Sequence, residues 1–353
     1  MGKYYDGTKL LSLSDLDGNK PEIYMVTTNR TGGKTVYFGR LCINRFLEGK
    51  VKLCLLYRFN YELSDVADKF FKDIRGLFFQ EYFMRSENRA KGIYCELFLG
   101  KNDEDTKTGG VSCGYAISLN NADQIKKYSH LFSDVERIIF DEFQSETNHY
   151  CDNEIKKFIS VHTSIARGNN EQVRYVPVYM LSNPVSIINP YYTEMNISSR
   201  LHKETKYLRG RGFVLEQGYV DSAAQAQKSS AFNRAFETND YVAYSSESVY
   251  LNDSTAFIEK PEGVSNYIAT LKYKNSEFAI REYRNQGIIY CDDKPDRTHK
   301  YKIAVTTDDH NVNYVMLKRN EMFIMNLRFF FEKGCFRFKD LRCKEAVLKA
   351  ISY

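Results

Sequence analysis

IYMVTTNRTGGKT, residues 23–35, decides the fold. Ile23 to Val26 form a short, wholly apolar run bounded by Pro21 and by a polar loop, the pattern of a strand buried on both faces. The loop carries most of the motif G-x-x-x-x-G-K-[ST], in which backbone N–H groups and a helix N-terminus cradle phosphates. Thr28 stands where the first glycine belongs, Asn29, Arg30, Thr31 and Gly32 follow, and Gly33, Lys34 and Thr35 fall in place. Beyond Lys34, residues Val36, Phe38, Leu41, Cys42, Phe46 and Leu47 have the spacing of a helix with one buried face. The glycine pair thus lies at a strand–loop–helix junction, the context that gives the motif mechanical meaning. Two readings of the loop compete, a surface turn and a triphosphate cradle. In the second, Gly32 and Gly33 admit close approach of the main chain, Lys34 neutralises outer phosphates, and the Thr35 hydroxyl completes coordination of a magnesium ion. That reading requires Thr28 to take the backbone angles of the first position.

Working outward, a second apolar strand, VKLCLLY (51–57), precedes an amphipathic helix expected from about Ser64 to Phe83. Two more strands, KGIYCELFLG and GVSCGYAISL, flank the charged turn KNDEDTKTGG. A third buried strand, VERIIF (135–140), runs directly into DEF; the helix NEIKKFISVHTSIAR and a strand VRYVPVYML ending in SNP follow. Buried strands alternating with helices predict an α/β domain with a mostly parallel sheet covered on both faces and ligands at the strands' carboxyl ends.

The polar residues at those ends suggest chemistry. Asp141 closes a buried strand and suits magnesium; Glu142, pointing the other way, suits the polarisation of an attacking water. A solvated acidic turn is the alternative. Asn183 is either an amide that senses a γ-phosphate or the cap or turn residue set by Pro184. Arg167, closing the helix before that strand, is either an arginine finger or an ordinary helix C-terminal cation.

Composition excludes less than it permits. In 353 residues, 43% hydrophobic, there is material for two domains. Fifty Lys and Arg against 45 Asp and Glu allow a nucleic-acid partner only where basic residues cluster. The eight cysteines contain no C-x-x-C pair and sit mostly in apolar runs, which predicts reduced core thiols, and the six histidines are dispersed. The N-terminus shows no signal-peptide run, Asp6 replaces the Ser or Thr of a myristoylation signal, and about 18 consecutive apolar residues occur nowhere. The expectation is a soluble protein without a membrane partner.

The order INRF, YRFNYEL, RIIFDEF, LSNPVSIINPYY, FIEK and VTTDD resembles the DNA encapsidation ATPases of small short-tailed bacteriophages, relatives of terminase large subunits. The resemblance runs over most of the chain and is weakest near residues 199–253. It implies a phosphate-loop NTPase domain of the ASCE type over residues 1–198, a helical linker or lid over 199–253, and a smaller α+β, RNase H-like domain over 254–353. It implies a motor that hydrolyses ATP with Mg²⁺ to drive double-stranded DNA into a preformed prohead. The motor would be a homo-oligomeric ring, commonly a pentamer, docked on the portal with prohead RNA nearby. It would work in the host cytoplasm and be absent from the mature virion. Lys34 and Thr35 then match the phosphate-loop pair and Arg30 that loop's arginine. Asp141 and Glu142 match the metal and catalytic carboxylates, Arg167 the finger offered to a neighbouring subunit, and Asn183 a coupling segment.

Two departures stand out. Thr28 replaces a glycine, and the loop QSETNHY (144–150) has neutral donors and Glu146 where the family places basic, DNA-gripping residues, which predicts a weak grip there. Basic residues recur at Arg200, Lys203, Lys206, Arg209 and Arg211 and at Arg337, Lys339, Arg342 and Lys344, solvated faces or nucleic-acid contacts. In the terminal domain Asp292, Asp293, Asp308 and Asp309 fall in turn-like contexts, and the strand FAIREYR has an arginine where a two-metal nuclease needs an acid. A degenerate nuclease used for docking is expected. The competing functions are a nucleic-acid-binding module with a dead nucleotide site and a metal-dependent nuclease.

Overall fold

The computed structural model describes residues 4–351 except 103–105, 107–108, 148, 169–170, 188, 199, 202–204, 237–241, 243–244 and 247–257. The chain divides into two units, Met1–Val185 with His202–Leu251, and Ser186–Leu201 with Asn252–Tyr353. The first is built on β1 (Ile23–Thr27), β2 (Lys52–Tyr57), β3 (Phe83–Arg89), β4 (Tyr94–Gly100), β5 (Val111–Ser118), β6 (Val135–Asp141), β7 (Val178–Ser182), β8 (Tyr207–Gly210) and β9 (Phe213–Gln217). They form one sheet in the order β3-β4-β5-β2-β6-β7-β1-β9-β8. From β5 to β9 every pairing is parallel, while the edge pairs β3–β4, β4–β5 and β8–β9 are antiparallel.

Its longer helices are α1 (Lys34–Gly49), α2 (Val66–Phe78), α3 (Glu154–Ala166) and α4 (Asp221–Ser229). Alternation along the strands assigns the faces. Phe38 of α1 meets Tyr179 of β7 with ring centroids 4.7 Å apart, and Phe158 of α3 meets Phe140 of β6 at 6.0 Å on the opposite face. Three sequence expectations change. The helix expected to reach Phe83 ends at Phe78, where Arg75 donates to the carbonyls of Gln80 and Tyr82, and a half-exposed strand without alternation, β3, follows. VRYVPVYML enters the ladder only at Val178, because Pro177 has no N–H to donate. The stretch read as a strandless linker or lid contains β8 and β9, and β9 pairs in register with β1 from Ile23↔Phe213 to Thr27↔Gln217. Its polar flanks hide a four-residue buried run, Phe213 to Glu216.

The second unit has β10 (Asn266–Tyr273), β11 (Ser276–Tyr283), β12 (Ile288–Asp292), β13 (Lys302–Ala304), β14 (Val315–Met316) and β15 (Phe336–Phe338), with α5 (Glu321–Glu332) and α6 (Leu341–Ile351). Their order is β14-β13-β10-β11-β12-β15: an antiparallel centre with parallel flanks, the α+β arrangement expected. Val347 and Ala350 of α6 join Leu271, Ile280 and Cys291 of the sheet in its core. FIEK begins outside the described residues, and Ile258 to Lys260 form no strand. All eight cysteines are free, and seven are buried. No described helix is long and apolar enough to cross a membrane.

Candidate nucleotide site

β1 and β6 are both neighbours of β7, so their carboxyl ends lie two strand spacings apart, roughly 10 Å. Side chains close that gap. Lys34 Nζ donates to Asn183 Oδ1 at 2.8 Å, and Thr35 Oγ1 donates to Asp141 Oδ2 at 2.7 Å. Three strand ends, β1, β6 and β7, therefore deliver Lys34, Thr35, Asp141, Glu142 and Asn183 to one place. Asn183 is bound to the lysine and is no helix cap; the short helix that follows is capped by Asn189.

The loop between β1 and α1 has the curvature a phosphate needs. Gly33 has φ 88° and Thr31 φ 60°, both left-handed, whereas Thr28 keeps a negative φ. Thr28 N–H donates to the Ser182 carbonyl at 3.3 Å, so the position of the lost glycine continues the sheet and demands no glycine. The second glycine is different: a Cβ on Gly32 would lie 3.0 Å from Thr28 Oγ1, 3.1 Å from Val220 Cγ2 and 3.2 Å from the Asn29 carbonyl. Asn29 is fully buried and exchanges two hydrogen bonds with the Val220 backbone, 3.1 and 2.9 Å, fixing the loop to the start of α4. Arg30 pairs with Glu146 of the loop after the acidic pair.

Electrostatics suit an anionic ligand. Burial pushes the Lys34 ammonium below its ordinary value against the opposing pull of Asp141 and Glu142. Burial, then the charges of Asp141 and Glu146, raise the Glu142 carboxyl, with Arg30 opposing. Glu142 takes a left-handed φ of 54°, and its N–H donates to Asp141 Oδ1 at 3.0 Å. A cleft of about 290 Å³ opens beside it, lined among others by Arg30, Arg58, Tyr61, Glu62 and Asn183.

Over residues 2–351 the chain matches the family model described as Podovirus DNA encapsidation protein (Gp16). The chain belongs to that family. The DNA packaging protein of Bacillus phage phi29 is 25% identical over 356 residues, covering 99% of this chain and 96% of the relative. That of Bacillus phage PZA is also 25% identical, with the same coverage. The fold is shared over the full length with a chain of the bacteriophage phi29 genome packaging motor assembly (TM-score 0.55, 22% identity, 100% of this chain and 98% of the other). A chain of the Phi-28 gp11 DNA packaging motor matches likewise (TM-score 0.58, 14% identity, 100% and 98%).

Not every residue expected at this encapsidation protein's site is in it. Arg167 is exposed at the end of α3. Next to it, Arg174 donates to the carbonyls of Ile165 and of Val135, the first residue of β6, at 2.6 and 2.9 Å. Arg167 thus lies toward the amino end of β6, opposite the carboxyl end that carries Asp141, about 20 Å along the thirteen residues of α3.

The sequence reading missed Arg58, at the end of β2. It is 6% exposed, holds Glu154 through Nε at 3.1 and 2.9 Å, and donates to the carbonyls of Glu142 at 3.3 Å and Phe143 at 2.8 Å. Only its place at a strand's carboxyl end, inside YRFNYEL, gave a signal. In the following loop Ser145 and Thr147 hydroxyls face each other at 3.3 Å, and His149 stacks on Phe59 at 4.6 Å.

The basic clusters are largely spent or divided. Lys339 and Arg342 pair with Asp293, Arg342 also with Asp340, and Lys344 is buried. Arg200 belongs to the second unit and Lys206, Arg209 and Arg211 to the first, while Lys203 lies outside the described residues. The four candidate nuclease acids do not converge. Arg281 of β11 donates to buried Asp292 at 3.1 Å; Asp309 holds the N–H groups of Lys274 and Asn275 in the β10–β11 turn; Asp308 is exposed. A cavity of about 480 Å³ is lined by Lys260, Lys294 and Lys339 together with Glu259 and Asp292, a wall of mixed charge. Among the described residues no three His, Cys, Asp or Glu are grouped to hold a metal ion.

Proposed function

We propose that this encapsidation protein is the ATP-hydrolysing subunit of a ring motor that drives double-stranded DNA into a prohead. One observation carries the reading: Lys34, Thr35, Asp141, Glu142 and Asn183 meet at the ends of three adjacent strands, beside a loop whose Gly32 leaves no space for a side chain. The backbone from Thr28 to Thr35 binds the triphosphate. Lys34 exchanges Asn183 for the outer phosphates as a point charge, and Arg30 adds a second cation. The oxygens of Thr35 and Asp141 are hard donors that suit magnesium, which supplies charge neutralisation on the phosphates. Glu142, whose carboxylate is made more basic by burial and by the charges of Asp141 and Glu146, takes the proton of the attacking water. Asn183, released from Lys34, is placed to hydrogen-bond the γ-phosphate or that water.

Arg167, remote from its own site and exposed, serves a neighbouring subunit's site in the ring. In this reading the unit Met1–Val185 with His202–Leu251, whose sheet takes in β8 and β9, carries the ATPase, and residues 254–353 form a docking domain without nuclease activity. Partners are DNA, the portal and prohead RNA, met in the host cytoplasm on a prohead that later sheds the motor. The test is ATP-dependent uptake of DNA into purified proheads, read as nuclease-protected DNA. Uptake with the wild-type chain and none with Lys34→Ala is the expected result, and equal uptake by the two rejects the proposal. Plasmid incubated with the protein and Mn²⁺ should remain uncut.

A further inference from the structure

We infer that Arg58 is a positioning residue for hydrolysis: from the end of β2 it fixes the main chain that carries Glu142. The inference rests on the ATPase reading above. One guanidinium spans three elements. Its Nε holds both oxygens of Glu154, the first residue of α3, while its Nη atoms donate to two consecutive carbonyls, those of Glu142 and Phe143. Glu154 is 3% exposed and also accepts from Cys151 N–H at 2.8 Å, so the pair anchors both ends of the loop from 142 to 154. The Tyr150 ring lies 4.9 Å from the guanidinium carbon, closing the arrangement from within that loop.

At the first of those two carbonyls, Glu142 takes a left-handed φ of 54°, a conformation unfavourable for a residue with a Cβ. Arg58 offsets that cost and sets the direction from which the Glu142 carboxylate enters the site. Its own charge is spent on Glu154, so its effect on the reaction passes through geometry. Lysine, a compact cation with no planar fork, cannot hold a carboxylate and two carbonyls together.

The experiment compares wild type, Glu142→Gln, Arg58→Lys and the double variant Arg58→Met/Glu154→Met in ATP turnover, nucleotide affinity by calorimetry and thermal melting. The double variant removes the buried pair without leaving a lone charge, so it keeps the fold where a single deletion would not. Both Arg58 variants are expected to melt as folded proteins and bind nucleotide with wild-type affinity, while kcat falls on the order of 100-fold with KM unchanged. Turnover at the wild-type rate in either folded variant overturns the inference while Glu142→Gln still tests the site. A parallel loss of affinity and kcat makes Arg58 merely structural and also overturns it. Turnover is read on rings assembled on proheads, where absence of turnover in the wild type removes the ATPase reading and this inference with it.

Discussion

Thr28 shows what the first position of this phosphate loop requires. Its negative φ and its bond to the Ser182 carbonyl make it the last rung of the sheet, and its methyl fills the space beside Gly218, where a Cβ would come within 3.0 Å. Restoring the motif with Thr28→Gly should therefore leave nucleotide affinity unchanged. It should lower stability by about 1 kcal/mol through added backbone freedom, a fall of about 2–4 °C in Tm for a domain of this size. Tighter nucleotide binding in that variant would contradict the geometry. Gly32→Ala is predicted to do the reverse, weakening binding with little change in melting, because its Cβ would press on the Asn29 carbonyl inside the loop. Asp141 and Glu142 were legible in the sequence because they sit where an apolar run ends, and Lys34 and Thr35 because they complete a glycine-rich motif between strand and helix, both local signals. Arg58 was not, since its meaning depends on Glu154, 96 positions away, and on two carbonyls that no sequence displays.

At the scale of elements, the strands buried on both faces were readable and the edges were not. β3 and β8 each have one free side, so neither shows the pure apolar run or clean alternation that marks a strand, and the buried run of β9 ends in Glu216 and Gln217 rather than in apolar residues. The edge of the sheet away from the site offers its own test. His162 of α3 lies 2.9 Å from the Val176 carbonyl and 3.5 Å from Glu22, which precedes β1. Burial pushes the imidazole down, but Glu22 and the Val176 carbonyl together lift it above its usual 6.5, while Glu22, despite its burial, is lowered by His162 and by Val176 N–H. A raised folded pKa means that the histidine's contribution is fully present below pH 6.5 and disappears as pH rises through the folded value. Glu22 contributes above 4.5 and loses its part as pH falls. The melting difference between wild type and His162→Gln should accordingly be larger near about pH 6 than near about pH 9; the same difference at both would show that the pair is not charged.

For the whole molecule, the account rests on a site that one chain leaves incomplete. Arg167 stands near the amino ends of the strands, away from Glu142 at their carboxyl ends, so subunits lacking one should complement subunits lacking the other in an assembled ring. Mixtures of Arg167→Ala and Glu142→Gln chains on proheads should recover part of the ATP turnover that neither shows alone, and no recovery would make Arg167 a helix-end cation. In the second unit the arginine within FAIREYR was legible as a departure from a two-metal nuclease, although the sequence did not disclose that Arg281 reaches Asp292 itself. The central claim, that the lysine of the first strand's loop and the acids of β6 act on one triphosphate, is tested most directly by Glu142→Gln, with nucleotide binding and single-turnover hydrolysis measured on the same preparation. The account predicts ATP bound at wild-type affinity and left uncleaved; hydrolysis at the wild-type rate would contradict it.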